Sequence, residues 1–321
     1  LKINACAKLY TQISTKDDFI GLYKYIKNNE LTYLVIGEGT NIVLPETFNG
    51  IVIALSFNEL SFDNNLKTVR AGASLNWHNF VCECIKNNIH GFENLSLIPG
   101  SVGAAPIQNI GAYGQEVSKL IKNVHCFDLN SGEFITLDNK SCRFSYRESI
   151  LKNNSFIIYS IDFKSDSNKL LNIEYDSIKR YLDTNKIDRK TLNLKSVSEA
   201  ICNIRNSTLP DPNIIPNAGS FFKNTIINKN EINTSEFPID DLIIWEIDDD
   251  LVKVGSARLI ELIRNRIPKS ANVDIYSNHS LVLTTNGEAS QDDVLSYANE
   301  IMKTVKNVFN IKLEIEPITI N

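Results

Sequence analysis

Apolar residues recur along the chain with two periods, and the change of period marks its elements. Over residues 15–29, Phe19, Leu22, Tyr23 and Ile26 fall on one helical face, Thr15 is placed to cap the helix, and Asp17 and Asp18 sit in its first turn. The short apolar runs Tyr33–Ile36, 42–44 and 51–55 read as buried strands. Alternation over residues 66–71 predicts a strand, and Trp77–Lys86 a helix with Leu75, Phe80, Val81 and Ile85 on its buried side. Residues 124–129 and 133–137 predict a hairpin across Asn130-Ser131-Gly132, with a further strand at 156–163. Residues 165–193 are polar and read as irregular. Residues 196–206 read as a helix with Val197, Ala200, Ile201 and Ile204 inward, stopped by Leu209-Pro210-Asp211-Pro212. The last third reads as helices over Ser256–Ile263 and 290–309, a strand over 280–285 between them, and a final strand over 311–320. In that final strand Glu314 and Glu316 share a face.

One stretch follows neither period. Residues 91–116, GFENLSLIPGSVGAAPIQNIGAYGQE, hold five of the 14 glycines: Gly91, Gly100, Gly103, Gly111 and Gly114. They also hold Pro99 and Pro106, and no charged side chain lies between Glu93 and Glu116. Dense glycine permits positive φ and lets main-chain N–H groups approach a ligand closely. Leu95, Leu97, Ile98, Val102 and Ile107 argue against disorder. The stretch reads as a buried backbone cradle for a large, flat, anionic cofactor, with a ligand-free Gly/Pro loop as the alternative. Upstream, the strand Tyr33–Ile36 empties into Gly37-Glu38-Gly39-Thr40-Asn41. That is a phosphate-loop geometry in which Thr40 and Asn41 add side-chain donors, or else a plain turn. It is not a GxGxxG fingerprint and no helical pattern follows it, which excludes a Rossmann reading.

Composition narrows the classes. At 321 residues, 43% hydrophobic and 22% charged, the chain is an ordinary globular protein of two or three domains. A net charge of −5 and scattered Lys and Arg predict no nucleic-acid partner. The apolar runs are far too short for a membrane span, and no signal-peptide pattern is read at the start. Numbering begins at Leu1, and a short N-terminal piece is expected to be absent. The six cysteines show no C-x-x-C spacing and are expected to be reduced and buried. The four histidines form no metal-pair spacing, so no metal is expected.

Four blocks in order, GEGTN (37–41), ENLSLIPGSVGAAPIQNIGAYG (93–114), CRFSYRES (142–149) and NAGSFFKN (217–224), resemble the UDP-N-acetylenolpyruvoylglucosamine reductase family of peptidoglycan synthesis. The resemblance runs from about Leu1 to the last strand. It is to the type with a tyrosine-bearing insertion, here around Tyr175, and the chain starts inside the family's first motif. It implies an α+β fold: a two-domain FAD-binding module of the vanillyl-alcohol-oxidase-like type plus a C-terminal α/β substrate domain. The expected division is 1–60 with 310–321, then 61–209, then 210–309. It also implies a cytoplasmic monomer that binds FAD, uses NADPH as cosubstrate and acts on a UDP-sugar.

The resemblance assigns roles. Arg147 would stabilise the carboxylate and the developing enolate of the substrate, with Tyr146 beside it. On its own residues, Arg147 reads equally as a surface ion pair with Glu148 or Glu174. Ser220 would donate the proton, although composition alone does not choose it over Ser101 or Ser145. Glu316 would polarise the carboxylate if burial raises its pKa, with Glu314 as the alternative on the same face. FAD contacts are expected at Gly37, Glu38, Gly39, Thr40, Asn41, Pro99, Gly100, Ser101, Gly103, Ala104, Ile107, Asn109, Ile110, Gly111 and Arg205. Tyr175 and Asn224 are expected at the UDP-sugar. Three positions depart from the family pattern: Thr208 where a lysine is expected, His279 where a glutamine is expected, and Ala257-Arg258 where Gly-Trp is common. One lost lysine–phosphate contact costs on the order of 1–3 kcal/mol, which predicts lower substrate affinity. Two other readings remain: a different FAD oxidoreductase on the same cofactor module, and a flavin- or nucleotide-binding module without catalysis.

Overall fold

The computed structural model describes residues 1–63, 65, 67–152, 155–165 and 170–321. Contact density divides them into two units. The larger comprises Ala7–Gly39 and Asn49–Ser207, and the smaller Leu1–Cys6, Thr40–Phe48 and Thr208–Asn321.

In the larger unit, local sequence starts the first helix as expected. Helix α1 (Lys16–Asn28) begins at Thr15, whose hydroxyl accepts from the Asp18 N–H while the Asp18 carboxylate accepts from the Thr15 N–H. Phe19, Leu22 and Ile26 are its buried face. They join Ile51 and Ile53 of a three-stranded sheet ordered Cys6–Ile13, Thr47–Leu55, Tyr33–Ile36. Phe127 and Ile157 close that cluster from a second sheet.

This second sheet is antiparallel and five-stranded, in the order Glu133–Asp138, Ile121–Asp128, Phe156–Lys164, Thr68–Gly72, Leu60–Asp63. The expected hairpin is present, and Gly132 takes φ +76 in its turn. The strand expected at 66–71 begins at Thr68, and position 66 lies outside the described residues. Helix α2 (Trp77–Lys86) buries Trp77, Phe80, Val81 and Cys84. Leu75 and Ile85, expected on that face, are half-buried at its margin, because the helical phase puts Cys84 inward instead.

The irregular reading of 165–193 is corrected. Positions 166–169 lie outside the described residues, but helix α3 (Asp176–Thr184) follows. Its Ile178 and Leu182, one turn apart, pack with Val197 and Ile201 of helix α4 (Leu194–Thr208). Ile178, Tyr181 and Leu182 lie at helical spacing on one face of α3, a stripe that the overall polarity of the segment conceals.

The smaller unit holds two three-stranded antiparallel sheets. One is ordered Asn217–Ser220, Val282–Thr285, Val273–Ile275, and the other Thr225–Asn228, Leu251–Val254, Ile244–Glu246. Helices α5 (Ser256–Ile263) and α6 (Gln291–Phe309) complete its core with Phe221, Phe222 and Leu283. Ser290 and Asp293 cap α6 reciprocally, and Asn310 ends it at φ +57. Val43, fully buried, belongs to this same core. The expected final strand is also corrected. Burial alternates from Ile311 to Glu314, but regular pairing is confined to Ile318–Thr319, which lie parallel to Ile42–Val43, and a single bridge joins Ile315 to Phe222.

All six cysteines are free, yet only Cys84, Cys126 and Cys142 are buried; Cys82 and Cys202 are half-buried and Cys6 is exposed. Among the described residues no group of three or more His, Cys, Asp or Glu could hold a metal, and no helix is long and apolar enough to cross a membrane.

Candidate functional site

Residues 91–116 form a chain of tight turns. Two 3-10 segments, Glu93–Leu95 and Val102–Ala104, are followed by a short pairing of Gly111–Ala112 with Gln115–Glu116. Gly91, Leu97, Gly100, Asn109, Tyr113 and Gly114 all take positive φ. Close approach requires glycine at two points. The Gly103 N–H reaches the Ala73 carbonyl at 2.8 Å, and a Cβ there would lie 2.7 Å from the Ala73 Cβ. A Cβ on Gly37 would lie 2.7 Å from the Ser101 hydroxyl. The Gly37–Gly39 turn therefore lies directly against the stretch beginning at Gly100, and Gly39 itself takes φ +66. Glu38 ties the two together, accepting from Asn76 Nδ2 at 2.8 Å and from the Gly100 N–H at 3.1 Å. It thereby takes a main-chain donor that the sequence reading left for the ligand. Backbones this close, in a stretch with no charged residue of its own between Glu93 and Glu116, fit a large flat cofactor held by main-chain groups, with the Glu38 carboxylate set against them.

The CRFSYRES block is fastened to this cradle. Ser149 Oγ donates to the Ile107 carbonyl at 2.8 Å, and Asn109 Nδ2 donates to the Ser145 carbonyl at 2.9 Å. Asn109, 1% exposed, also bonds the Glu116 carboxylate and accepts from the Ser118 N–H. Arg147, at φ +55, donates to the Gly111 carbonyl at 3.0 Å and to the Asn109 carbonyl at 3.5 Å, and its guanidinium lies 5.4 Å from the Tyr146 ring. The cradle thus aims Arg147. Glu148 is taken by Lys152 and Glu174 by Lys179. Ile107 and Ile110 pack at the margin of the core beneath, while Pro99 and Ala104 are exposed.

Arg205, near the end of α4, is placed against both ends of the cradle. Its Nε donates to the Leu97 carbonyl at 3.2 Å, and its side chain hydrogen-bonds Tyr113. Burial works against its charge and lowers its pKa, partly offset by Tyr113 and Cys202. Tyr175, at the N-terminus of α3 and exposed, meets the Tyr113 ring edge-on at 5.6 Å. His78 of α2, which sequence reading did not single out, accepts from the Leu97 N–H at 3.0 Å. No spacing signals it, because its partner is a backbone group 19 positions away.

In the smaller unit, the segment after Ser220 pairs with the chain before Pro317. The Glu316 N–H donates to the Phe221 carbonyl at 2.9 Å, and the Lys223 N–H donates to the Glu314 carbonyl at 2.9 Å. Ser220 and Glu316 are thereby brought to neighbouring positions, both half-buried. The Ser220 hydroxyl makes no hydrogen bond among the described residues. Glu314, two residues away, is exposed and ion-paired with Lys223 at 3.3 Å, which separates it from Glu316. Asn224 Oδ1 accepts from the Ser256 N–H at the start of α5, leaving its Nδ2 with no acceptor among the described residues. Thr40 is half-buried, and the Asn41 carbonyl accepts from the Ile318 N–H at 3.0 Å. His279 Nδ1 accepts from the Leu281 N–H at 3.3 Å, a turn contact within its own loop.

Two family profiles match the chain: an FAD binding domain over residues 7–138 and a UDP-N-acetylenolpyruvoylglucosamine reductase C-terminal domain over residues 211–320. Curated relatives match over nearly the whole length. The UDP-N-acetylenolpyruvoylglucosamine reductase of Bdellovibrio bacteriovorus is 35% identical, covering 99% of this chain and 95% of its own. That of Neisseria meningitidis serogroup A is 34% identical, covering 98% and 92%. Among solved structures, the enzyme of the same name from Thermus caldophilus superposes with a TM-score of 0.65 at 21% identity, over 97% of this chain and 92% of that one, a likeness of fold.

Proposed function

The chain belongs to the UDP-N-acetylenolpyruvoylglucosamine reductase family, an oxidoreductase family with an FAD-binding domain, and on that footing we propose its reaction and the residues that carry it. It reduces UDP-N-acetylglucosamine enolpyruvate to UDP-N-acetylmuramate in peptidoglycan synthesis, as a cytoplasmic monomer, with NADPH as the reductant. When bound, FAD would supply hydride-transfer chemistry between NADPH and the methylene carbon of the enolpyruvyl group. The cradle residues Pro99–Gly111 and the Gly37–Asn41 loop hold it, and the tight approach at Gly37 and Gly103 is the observation that supports their doing so. Two cores, one under α1 and one under α2, lie within the larger unit, whereas residues 310–321, expected to return to the first FAD-binding domain, cluster with the smaller unit.

Negative charge develops on the substrate carboxylate and the adjoining carbon as the hydride arrives. Arg147 meets that charge, and the two carbonyls that grip its guanidinium fix the direction in which it points. Ser220 delivers the proton from Oγ to the enolate carbon, and the hydroxyl's having no competing partner among the described residues supports that role. Glu316 stands beside Ser220 on the same paired segment and orients the carboxylate end. Asn224, its oxygen committed to Ser256, presents Nδ2 to the diphosphate, and Tyr175 offers a ring and hydroxyl to the UDP moiety.

The observation that carries the reading is the grip on Arg147: a cation tied to the cradle's Gly111 carbonyl supports its meeting an anionic substrate there. The test is anaerobic. Purified protein is yellow, NADPH bleaches it, and UDP-N-acetylglucosamine enolpyruvate restores the colour. Bleaching without restoration sinks the substrate assignment, and a protein that takes up no FAD sinks the whole reading.

A further inference from the structure

Leu97 carries φ +58, a left-handed conformation that costs a leucine free energy and persists where the surroundings over-determine it. Two side chains grip the residue from opposite sides. His78 Nδ1, on α2, accepts its N–H at 3.0 Å, and Arg205 Nε, on α4, donates to its carbonyl at 3.2 Å. Ile98 precedes a proline and is itself conformationally restricted, and Gly100 follows at φ +115. The orientation of Leu97 therefore dictates where the Gly100–Gly103 backbone points.

We infer that His78 and Arg205 are positioning residues that clamp Leu97 and so set the flavin cradle, with His78 acting as an obligate neutral acceptor. The inference rests on the reading of this cradle as the FAD site. To accept from Leu97, Nδ1 must carry a lone pair, so the ring proton sits on Nε2, which lies 3.8 Å from the Cys82 sulfur. A second proton on Nδ1 would set N–H against N–H and break the grip. The titratable and charged groups facing His78 are Cys82 from its own helix and Arg205 from α4. Beyond them, Cys202 of α4 interacts with Cys82, and Tyr113 of the cradle holds Arg205. Burial first, and then the Arg205 charge, push the His78 pKa below its ordinary 6.5. The sign follows from that direction. The native clamp favours neutral His78, so the grip is complete above 6.5 and is lost as pH falls from there through the lowered value.

FAD affinity of the apoprotein, read from flavin fluorescence between about pH 5 and pH 8, tests the clamp. Wild type weakens several-fold toward the acid end. His78→Asn places an amide oxygen where Nδ1 sits but cannot titrate, so it binds like wild type at neutral pH and loses the extra acid-side weakening. His78→Phe binds on the order of tenfold more weakly than wild type at neutral pH, the scale of one hydrogen bond, and does not weaken further toward the acid end. An Asn variant as pH-sensitive as wild type, or a Phe variant that binds as tightly, overturns the clamp. Wild type that takes up no FAD at any pH overturns the cofactor reading instead.

Discussion

Ser220 and Arg147 separate the two halves of the proposed reaction, because the proposal gives neither a role in flavin reduction by NADPH. Ser220→Ala removes the donor oxygen and little else. It is expected to leave anaerobic bleaching by NADPH near normal while slowing reoxidation by the enolpyruvyl substrate by about 10²–10⁴-fold, the usual worth of a positioned proton donor. Stopped-flow traces of the two half-reactions decide it, and equal slowing of both would make Ser220 structural. Arg147→Lys keeps the charge but loses the fork that reaches the Gly111 and Asn109 carbonyls together. Reoxidation by substrate is expected to fall by about 10²-fold with bleaching again intact, on the scale of one lost electrostatic donor. Retention of the wild-type rate by the lysine variant would show that direction is not what the grip supplies.

At the scale of elements, the two close approaches in the cradle predict opposite outcomes for the same substitution. Gly103→Ala drives a methyl into Ala73, Cβ and backbone alike, so the cradle must shift and FAD uptake should fall sharply. Gly37→Ala meets only the Ser101 hydroxyl, the end of a side chain that can rotate away, so FAD content should change little. Equal FAD content in the two variants would refute the steric argument. The five-stranded sheet offers a pH test. Asp162, on the strand Phe156–Lys164, accepts from Arg70 at 2.7 Å and from His125 at 2.9 Å, on two neighbouring strands. Burial opposes its charge, but those bonds prevail and hold its pKa down to about 2. A depressed carboxylate contributes stability above its ordinary 3.8 that disappears as pH falls through about 2. Asp162→Asn should therefore destabilise by about 1–3 kcal/mol near neutrality, with the deficit closing toward pH 2 in denaturant melts. A pH-independent deficit would point to shape rather than charge. The same elements show what was legible beforehand. Helices α1 and α6 carry strong periodicity and capping boxes, and α5 strong periodicity alone, so their sequence places them within a residue or two, while the hairpin's first strand begins three residues before its expected start. Helix α3 is harder to read because its stripe of Ile178, Tyr181 and Leu182 is only nine residues long and lies in a strongly polar segment, with its packing partners Val197 and Ile201 on another helix. The final strand was overdrawn for the converse reason: Ile311, Leu313 and Ile315 alternate in an extended chain that pairs only at isolated points. In the cradle, glycines announced close approach, but the side chains that hold it, Glu38, His78 and Arg205, bond to main-chain groups and leave no spacing to read.

At the scale of the whole molecule, the smaller unit is assembled from three separated segments, Leu1–Cys6, Thr40–Phe48 and Thr208–Asn321. Its continuous part ends in Ile318–Thr319, whose strand partner is Ile42–Val43. Val43 is also fully buried in the core formed by α5, α6 and Phe221, and Gln291 at the start of α6 donates to its carbonyl at 3.1 Å. The Cys6 N–H bonds the Glu46 carbonyl at 2.9 Å, joining the other two segments. A fragment of residues 208–321 keeps the family's C-terminal sequence yet lacks a core valine, a strand pairing and a helix-start anchor. Loss of the buried valine alone costs about 1.5–3 kcal/mol in transfer free energy, a large share of the stability of a unit this small. The fragment alone is therefore expected to melt at lower denaturant and less cooperatively than the intact chain. Fusing residues 38–48 to it through a flexible linker should recover much of the difference. Equal midpoints for the fragment with and without that segment would show that the smaller unit owes its stability to its continuous part alone.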